Sequence, residues 1–440
     1  MSSDYSQLSD VAEVIDSLHK TPSYAVQGLP MVRVTDVKYG ELLLDGTLKV
    51  DEQTFMEFSR RYKPSREDII ITRVGTYGIT ARVVETAFCL GQNTAAIIPR
   101  TINSRYLYAA LNSPQLRAQI ESNAVGSTQK TLSLKCINAL QIPRFGEYAE
   151  TKIAELIGIL DDRITLLRET NATQEAIAQA LFKSWFVDFE PVHARARGEQ
   201  LAGLAPEVAT LFSDSFEESA LGMIPRGWKV VSVGDVAEVV KGKSYSSKDL
   251  VDSHDTALVT LKSFERGGGF RLDGFKPYSG AYKPSQVVVP GDLIIAYTDV
   301  TQAAELIGKP AIVVGVENHQ TLVASLDVGI VRPVEDNVSR QFLYGLFRTE
   351  LFQNHTFAHT SGTTVLHLAK DGVGSFEFAC PPVELVKAFT EIADSLAERR
   401  QTNIDQMRTL ANLRDTLLPR LISGQLRLPD AEQQLKDLAV

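Results

Sequence analysis

The sequence has few cysteines, no long apolar run and no excess of positive charge. Three cysteines among 440 residues cannot build a disulfide framework and are typical of a reducing compartment. The longest apolar runs, such as DLIIAY at 292–297, have the length of a strand and are far shorter than a membrane span. The first residues, MSSDYSQLSD, lack the basic and apolar regions of a signal peptide. We therefore expect a cytoplasmic protein that does not associate with membranes.

The charge is acidic in total but unevenly distributed. The formal net charge is −9 at pH 7 and the isoelectric point is near 5.4. Residues 1–146 carry sixteen basic and fourteen acidic side chains, a net charge of +2, whereas residues 205–380 carry fifteen and twenty-one, a net charge of −6. Because phosphate contacts need Lys and Arg, any contact with nucleic acid must come from local patches.

The sequence repeats itself in order and at a nearly constant offset. DVAEV at 10–14 recurs at 235–239, 225 residues later, and EDIII at 67–71 matches GDLII at 291–295 at an offset of 224. At an offset of 236, YLYAALNSPQL (106–116) matches FLYGLFRTELF, and GSTQKTL (126–132) matches GTTVLHL. The chain therefore consists of two copies of one module.

Each module predicts a globular part followed by a long helix. Short β-branched segments broken by Gly and Pro, with one amphipathic helical stretch, are typical of a globular α/β domain with mixed (α+β) organisation. Apolar residues at alternating steps of four and three then indicate a coiled-coil seam. The predicted seam residues are Ile153, Ile157, Leu160, Ile164, Leu167, Leu181 and Trp185 in the first copy, and Phe389, Leu396, Met407, Leu410, Leu417 and Leu421 in the second. Polar interruptions, such as Asn171 and Asn403, are expected to weaken the seam and fix its register.

These patterns predict the following division of the chain, with a pseudo-two-fold tandem repeat. We expect a first globular domain at 1–146, a central spacer helix at 147–190, a linker at 191–221, a second globular domain at 222–380, a distal spacer helix at 381–424 and a tail at 425–440. Pro191 is expected to end the first helix and Pro419 to interrupt the second.

Four stretches carry a resemblance to a known family. LDDRI, ALFKSWFVDFEPV, GMIPRGWKVVSVGDVAEVVKGK at 222–243 and LRDTLLPRLISGQLRL at 413–428 resemble the specificity subunit of type I restriction–modification systems. The resemblance implies two DNA-recognition domains separated by two antiparallel helices, each domain reading one half of a split double-stranded DNA site. It also implies a non-catalytic chain that binds two methyltransferase subunits and the restriction subunits. No cofactor is then expected in this chain, whereas S-adenosylmethionine, ATP and Mg are expected on the partner subunits.

Loops with hydroxyl, amide and basic side chains are the candidates for DNA contact, because such groups reach phosphates and base edges. The predicted DNA-binding residues of the first domain are Lys63, Arg66, Arg73, Thr76, Tyr77, Ser127, Thr128, Gln129 and Lys130. Those of the second domain are Lys241, Lys243, Ser244, Tyr245, Thr298, Gln302, Ser361, Thr363 and Thr364. The alternatives are that VGTYG is a plain turn between strands and that GSTQK and SGTT recur only because the modules share a structure.

The aromatic residues concentrate in LFKSWFVDFEPV at 181–192. Leu181 and Trp185 fall on the seam, whereas Phe182, Phe186 and Phe189 fall beside it. The latter three either pack under a globular domain or form a surface on which a methyltransferase subunit docks.

Two stretches resemble catalytic or metal-binding motifs, but both are incomplete. VVKGKS at 239–244 lacks the upstream Gly of a phosphate-binding loop, and His355, His359 and His367 lack the Glu or Cys of a zinc site, so no metal is expected. No catalytic constellation is visible, which argues against an enzyme. The alternative to DNA reading is a coiled-coil adaptor that joins proteins, which the acidic charge favours.

Overall fold

The computed structural model describes residues 4–126, 130–199, 201–301, 303–334 and 337–437, which form two compact units. Unit 1 comprises the described residues up to Arg168 and from Asp405 onwards, and unit 2 comprises Glu169–Ile404. Each unit therefore contains one globular domain together with parts of both long helices.

Unit 1 begins with short strands and helices and ends in a long helix. Its elements are β1 (Asp4–Gln7), α1 (Leu8–Val11), β2 (Ala12–Asp16), β3 (Tyr24–Ala25), β4 (Leu29–Val32), β5 (Gly40–Glu41), β6 (Lys49–Val50), α2 (Glu52–Phe58), β7 (Ile69–Thr72), β8 (Thr80–Arg82), β9 (Cys89–Leu90), β10 (Thr94–Pro99), α3 (Ser104–Leu111), α4 (Pro114–Asn123), α5 (Leu134–Asn138), β11 (Gln141–Arg144) and the first part of α6 (Glu147–Phe186).

Unit 2 follows the same plan. Its elements are α7 (Glu190–Ala196), α8 (Pro206–Ala209), β12 (Phe216–Ser219), β13 (Gly222–Pro225), β14 (Lys229–Ser232), α9 (Val233–Val236), β15 (Ala237–Lys241), β16 (Thr256–Val259), β17 (Lys276–Pro277), β18 (Val287–Val288), β19 (Leu293–Ala296), β20 (Thr298–Asp299), β21 (Pro310–Ile312), β22 (Thr321–Ala324), β23 (Val328–Pro333), α10 (Arg340–Phe347), α11 (Glu350–Ala358), β24 (Thr360–Ser361), β25 (Leu366–Leu368), β26 (Glu377–Cys380) and the first part of α12 (Val383–Ile422). Three 3-10 turns, at Ser247–Asp249, Leu261–Ser263 and Pro284–Gln286, and the final α13 (Leu428–Asp437) complete the chain.

The sheets of the two units have matching strand orders. The main sheet is β2-β10-β7-β8-β5 in unit 1 and β15-β23-β19-β21 in unit 2. A second sheet, β3-β6-β4-β9 in unit 1 and β17-β16-β22-β18 in unit 2, contains one parallel pair in each case. β7 and β19 are buried along their whole length, which explains their unbroken Ile and Leu runs. The predicted tandem repeat of mixed α+β modules is confirmed.

The long helices pair antiparallel within each unit. In unit 2, Asn403 Nδ2 donates to Asn171 Oδ1 over 2.7 Å, and Arg400 forms an ion pair with Glu175. Rising numbers in α6 therefore face falling numbers in α12. In unit 1, Arg414 Nη1 donates to Asp161 Oδ1 over 2.8 Å. The predicted seam is buried at Ile153, Ile157, Leu160, Ile164, Leu167 and Trp185 in α6 and at Phe389, Leu410, Leu417 and Leu421 in α12, and it is half-buried at Leu181, Leu396 and Met407.

Three expectations about the connections need correction. The segment 191–221 is not a free linker, because Val192 and Phe212 lie in the core of unit 2. Pro419 does not interrupt α12, which continues to Ile422. The segment 425–440 is not a free tail either, because Leu428 and Ala431 of α13 lie in the core of unit 1. Apolar residues spaced along these polar segments anchor them, and composition alone does not show this.

The aromatic helix end is core. The rings of Phe182 and Phe186 lie 5.3 and 5.0 Å from that of Phe342, and both side chains are buried. Trp185 packs against Phe389 of α12, and the half-buried Phe189 packs edge-on against Trp228 at 5.4 Å. The docking interpretation is therefore wrong for Phe182 and Phe186, because the globular domain of unit 2 covers them, and it stays a prediction for the half-buried Phe189. Across the residues that the structure describes, none of the helices is both long and apolar enough to span a membrane.

Candidate nucleic-acid interface

Two predicted segments of unit 1 meet where β7 ends. Val74 and Val125 both form β-bridges with Thr131, and the Gly75 amide donates to the Lys130 carbonyl over 3.2 Å. Residues 73–78 and the described part of 124–131 are termed loop pair 1. Ser127, Thr128 and Gln129 lie outside the described residues. The backbone bonds place TRVGTYG directly beside GSTQK.

A polar cluster lies on loop pair 1. Tyr77 Oη donates to Glu121 Oε2 over 2.6 Å, and Lys130 Nζ donates to Glu121 Oε1 over 2.5 Å. The hydrogen bonds from Lys130 and Tyr77 lower the pKa of the Glu121 carboxyl. This carboxylate therefore stays ionised and can accept a hydrogen bond from a base amino group. Thr76 is exposed beside it.

Arg73 is engaged within the domain. Its guanidinium forms an ion pair with Asp16 at the end of β2, and Nε donates to the Leu132 carbonyl over 3.2 Å. Only 11% of its side chain is exposed. The prediction that Arg73 contacts DNA is therefore wrong, because its charge and donors already stabilise the base of loop pair 1. The sequence places Asp16 far from Arg73, and only the pairing of β2 with β10 and β10 with β7 joins them.

Unit 2 has a corresponding pair of bridged loops at the end of β19. β20, β25 and β24 form a small sheet in which Thr298 and Ser361 both pair with His367. Residues 297–301 and 360–368 are termed loop pair 2. Each bridged residue corresponds to one of loop pair 1 at an offset of 224 or 236, and Gly126 and Gly362 both have a positive φ, of 125° and 108°.

The predicted residues differ in their access to solvent on loop pair 2. Ser361, Thr363 and Thr364 are exposed at its tip. Thr298 is buried in β20, so the prediction that its side chain contacts DNA is wrong. Gln302 lies outside the described residues.

A buried carboxylate supports the loop after β20. Asp299 accepts hydrogen bonds from the amides of Thr301, Leu306 and Ile307 at 2.6, 2.6 and 3.0 Å. Burial raises the pKa of Asp299, but these hydrogen bonds outweigh burial and hold the pKa below its ordinary value of 3.8. The backbone of the loop is therefore fixed by one side chain.

The basic segment after β15 lies at the same end of the main sheet as loop pair 2. Lys241 pairs with Gly329 and Ala296 pairs with the neighbouring Val328, so both segments leave the sheet together. Within the segment, the Lys243 amide donates to the Ala324 carbonyl over 2.7 Å, and Lys276 Nζ donates to Tyr245 Oη over 3.3 Å. Lys241 and Ser244 are exposed, while Lys243 and Tyr245 are half-buried.

The KPSR turn does not join loop pair 1. Lys63 and Arg66 are exposed, but they precede β7, whereas loop pair 1 follows it. A four-residue strand spans about 13 Å, so the two sites lie at opposite ends of it. The Ser65 amide donates to Asp68 Oδ2 over 2.9 Å and fixes this turn.

The histidines of unit 2 belong to its structure. His355 Nε2 lies 3.1 Å from Ser375 Oγ, and His359 Nδ1 lies 2.8 Å from the His355 carbonyl oxygen. Burial, followed by the neighbouring His359, lowers the pKa of His355. Within the described ranges, no three His, Cys, Asp or Glu side chains are grouped so that they could hold a metal ion.

Comparisons with known proteins agree with this architecture. A family model described as the type I restriction modification DNA specificity domain matches residues 3–176. The type I restriction enzyme MjaIX specificity subunit of Methanocaldococcus jannaschii is 24% identical over 436 residues, which cover 97% of this chain and 94% of that protein. The HindI specificity subunit of Haemophilus influenzae is 24% identical over 395 residues, covering 78% and 81%. Residues 3–176 therefore match the type I restriction modification DNA specificity domain, and most of the chain is similar to type I restriction enzyme specificity subunits.

The fold of this chain is also similar to that of a solved structure. The type I restriction–modification S subunit from M. genitalium has a TM-score of 0.53 and 13% identity, with 96% of each chain covered. The family model matches only the first repeat, and the internal repeat carries the same organisation into the second. Sequence reasoning missed Glu121 because it lies on α4, outside any loop motif, and only the fold brings it to loop pair 1.

Proposed function

We propose that this chain is the non-catalytic DNA-reading subunit of a type I restriction–modification complex and reads a bipartite, asymmetric site. The observation that carries the proposal is the recurrence of the loop pair. Both loop pairs occupy the same position in the repeat, yet their side chains differ. Equivalent positions with different chemistry are what two unlike half-sites require, because sequence is read by side chains at base edges.

Local positive charge can supply the phosphate contacts in spite of the acidic total. Lys130 in unit 1 and Lys241 and Lys243 in unit 2 lie on or beside the loop pairs. Lys63 and Arg66 offer a second, separate patch in unit 1. Each phosphate contact releases counterions, so we expect the affinity for DNA to fall steeply with salt.

The long helices are proposed to set the gap between the half-sites. Each helix has 40 residues and is about 60 Å long at 1.5 Å per residue. The hydrogen bond between Asn171 and Asn403 stabilises one register of the pair, since a slipped pairing would separate these two half-buried amides. A fixed register gives a fixed gap.

The relatives are named as subunits of restriction enzymes, which supports an assembly with other chains. We propose two methyltransferase subunits and restriction subunits as partners. The chemistry would then reside on those partners with S-adenosylmethionine, ATP and Mg, and this chain would contribute recognition.

Binding selection from random DNA tests the proposal. The chain, assembled with its methyltransferase subunits, should enrich two short motifs separated by a constant number of base pairs. Exchanging residues 222–380 for the equivalent domain of a relative should replace one motif and leave the other. Selection that returns no split motif would contradict DNA reading and favour a protein adaptor.

A change in helix length tests the gap separately. Inserting four residues after Thr173 in α6 and four after Thr402 in α12 lengthens both helices by about 6 Å. We expect a changed gap with both half-site motifs retained. Altered motifs with an unchanged gap would refute the proposed spacer role, and a seven-residue insertion, which preserves the heptad phase, is the matched control.

A further inference from the structure

The last turn of the helix before each loop pair carries a side chain that neither motif nor composition singled out. Glu121 lies on α4 in unit 1, and Phe357 lies on α11 in unit 2, at the repeat offset of 236. Each comes four residues before a bridged residue of its loop pair, Val125 or Ser361. The two residues therefore occupy one position of the repeat.

Position 121 faces the loops in unit 1. Glu121 accepts hydrogen bonds from both Tyr77 and Lys130, one on each segment of loop pair 1. The same helix, bridges and strand end recur in unit 2, so the repeat places the end of α11, which carries Phe357, beside loop pair 2. The Thr360 hydroxyl donates to the Phe357 carbonyl over 2.7 Å and fixes this helix end beside β24.

Unit 2 presents apolar side chains where unit 1 presents polar ones. Phe357 is 56% exposed, and Val300, which corresponds to Thr76, is 63% exposed. The other face of α11 is satisfied, because Phe352 and Thr356 are buried in the domain. Two exposed apolar residues at equivalents of polar loop positions indicate a surface that another molecule covers.

The electrostatics of the helix end restricts which chemical group of the bound molecule can lie beside Phe357. The C-terminal end of a helix carries partial negative charge, which disfavours a phosphate beside Ala358. An apolar ring at this place is suited to a base edge instead. The 5-methyl group of thymine is the apolar feature of the major groove.

We propose that Phe357, supported by Val300, reads a thymine of the second half-site through its 5-methyl group. The inference rests on the proposed DNA-reading function and adds a specificity-determining residue to it. Unit 1 has Glu121 and Thr76 at these two positions, and its own exposed apolar residue, Val125, lies where unit 2 has Ser361. A thymine contact at position 357 therefore belongs to the second half-site.

Replacing thymine by uracil removes the methyl group alone and tests the proposal. Once selection has given the site, duplexes are made with deoxyuridine at each thymidine in turn, and their affinity for the assembled complex is measured. We expect one position of the second half-site to lose about fourfold in affinity, the effect of one buried methyl group. In the Phe357→Ala complex, the same deoxyuridine duplex and the unmodified duplex should bind equally.

Controls separate this inference from the function on which it rests. Leu351→Ala removes another exposed apolar side chain of α11, at 67% exposure but in its first turn, and should keep the sensitivity to deoxyuridine. A wild-type complex that selects a split site but binds every deoxyuridine duplex of the second half-site equally well overturns the inference alone. A complex that selects no split site overturns the proposed function as well.

Discussion

Unit 1 closes its helix ends with aliphatic side chains, whereas unit 2 uses aromatic ones. Leu418, Leu421 and Ile422 of unit 1 stand at the positions of Phe182, Trp185 and Phe186 of unit 2, at the repeat offset of 236, and all six are buried. In unit 2, Gly345 of α10 lies against the Phe182 ring and so leaves room for the larger side chain. A repeat can therefore keep one architecture while each copy finds its own packing, provided that the volume stays constant.

The loop pairs differ in the same way but without compensation. Glu121 and Thr76 in unit 1 correspond to Phe357 and Val300 in unit 2, and these side chains are exposed. A difference in a core is constrained by neighbours, whereas a difference on a loop is constrained by what the loop binds. The core comparison therefore predicts effects on stability, and the loop comparison predicts effects on recognition.

The largest expected effect is that of Phe186→Ala. Phe186 packs against Phe342 and Phe389 at 5.0 and 5.3 Å and is 8% exposed, so the truncation leaves a cavity. We expect a loss of about 3–5 kcal/mol in the free energy of unfolding of unit 2. Denaturant titration with hydrogen exchange can assign the loss to this unit.

The equivalent truncation in unit 1 provides the matched control for Phe186→Ala. Ile422→Ala should destabilise unit 1 by about 2–5 kcal/mol and leave the protection of unit 2 unchanged. A Phe186→Ala chain that keeps its stability but fails to bind a methyltransferase subunit would restore the docking interpretation.

Gly345→Ala tests the compensation in volume directly. A Cβ at Gly345 on α10 would lie 2.3 Å from the Phe182 ring. Unit 1 has Ala109 and the smaller Leu418 at the equivalent positions, and both belong to its core. We expect Gly345→Ala to cost about 1–3 kcal/mol by overpacking. Phe182→Leu, which copies unit 1, should recover part of this loss in the double variant, as thermal unfolding would reveal.

The reverse substitution in unit 1 is the control for Gly345→Ala. Ala109→Gly should cost only about 1 kcal/mol, the difference in helix propensity. Additive costs of Gly345→Ala and Phe182→Leu in the double variant would refute the idea that the pair is coupled.

The repeat, the heptads and the mixed class of the domains follow from the sequence, because each rests on periodicity along the chain. The roles of Arg73 and Thr298 do not follow, since they depend on strand pairings that bring in Asp16 and His367. The aromatic patch illustrates the same limit. Its heptad placement is readable, but whether Phe186 meets solvent depends on α10, more than 150 residues away.

Asp299 offers a pH test that unit 1 cannot match, because Gly75 stands at the equivalent position. Asp299→Asn replaces one acceptor oxygen by a donor that faces an amide, so we expect unit 2 to lose about 1–2 kcal/mol at pH 7. Since the pKa of Asp299 is lowered by folding, its contribution is complete above the ordinary value of 3.8 and is lost as the pH falls through the folded pKa.

The difference between wild type and Asp299→Asn should therefore shrink as the pH falls below about 4, because the carboxyl of the unfolded chain is protonated there first, and it is lost once the pH passes the lower folded pKa. Denaturant midpoints measured from pH 3 to pH 7 give this dependence. A difference that is constant over this range would show that the ionised carboxylate is not what holds the loop.

The smallest effect on stability is expected for Lys130→Ala. It can be compared with Arg73→Ala, because both residues were predicted from the sequence to contact DNA. Lys130 is exposed and its ion-pair partner Glu121 is exposed as well, so its removal should change the free energy of unfolding little. If it contacts a phosphate, the slope of log affinity against log salt should fall by about one. Arg73→Ala should instead destabilise unit 1, because it removes the ion pair of the half-buried Asp16 and leaves this carboxylate with the exposed His19 as a side-chain partner. Both changes should alter only the reading of the first half-site, so an effect of Lys130→Ala on the second half-site would contradict the assignment of one loop pair to each half.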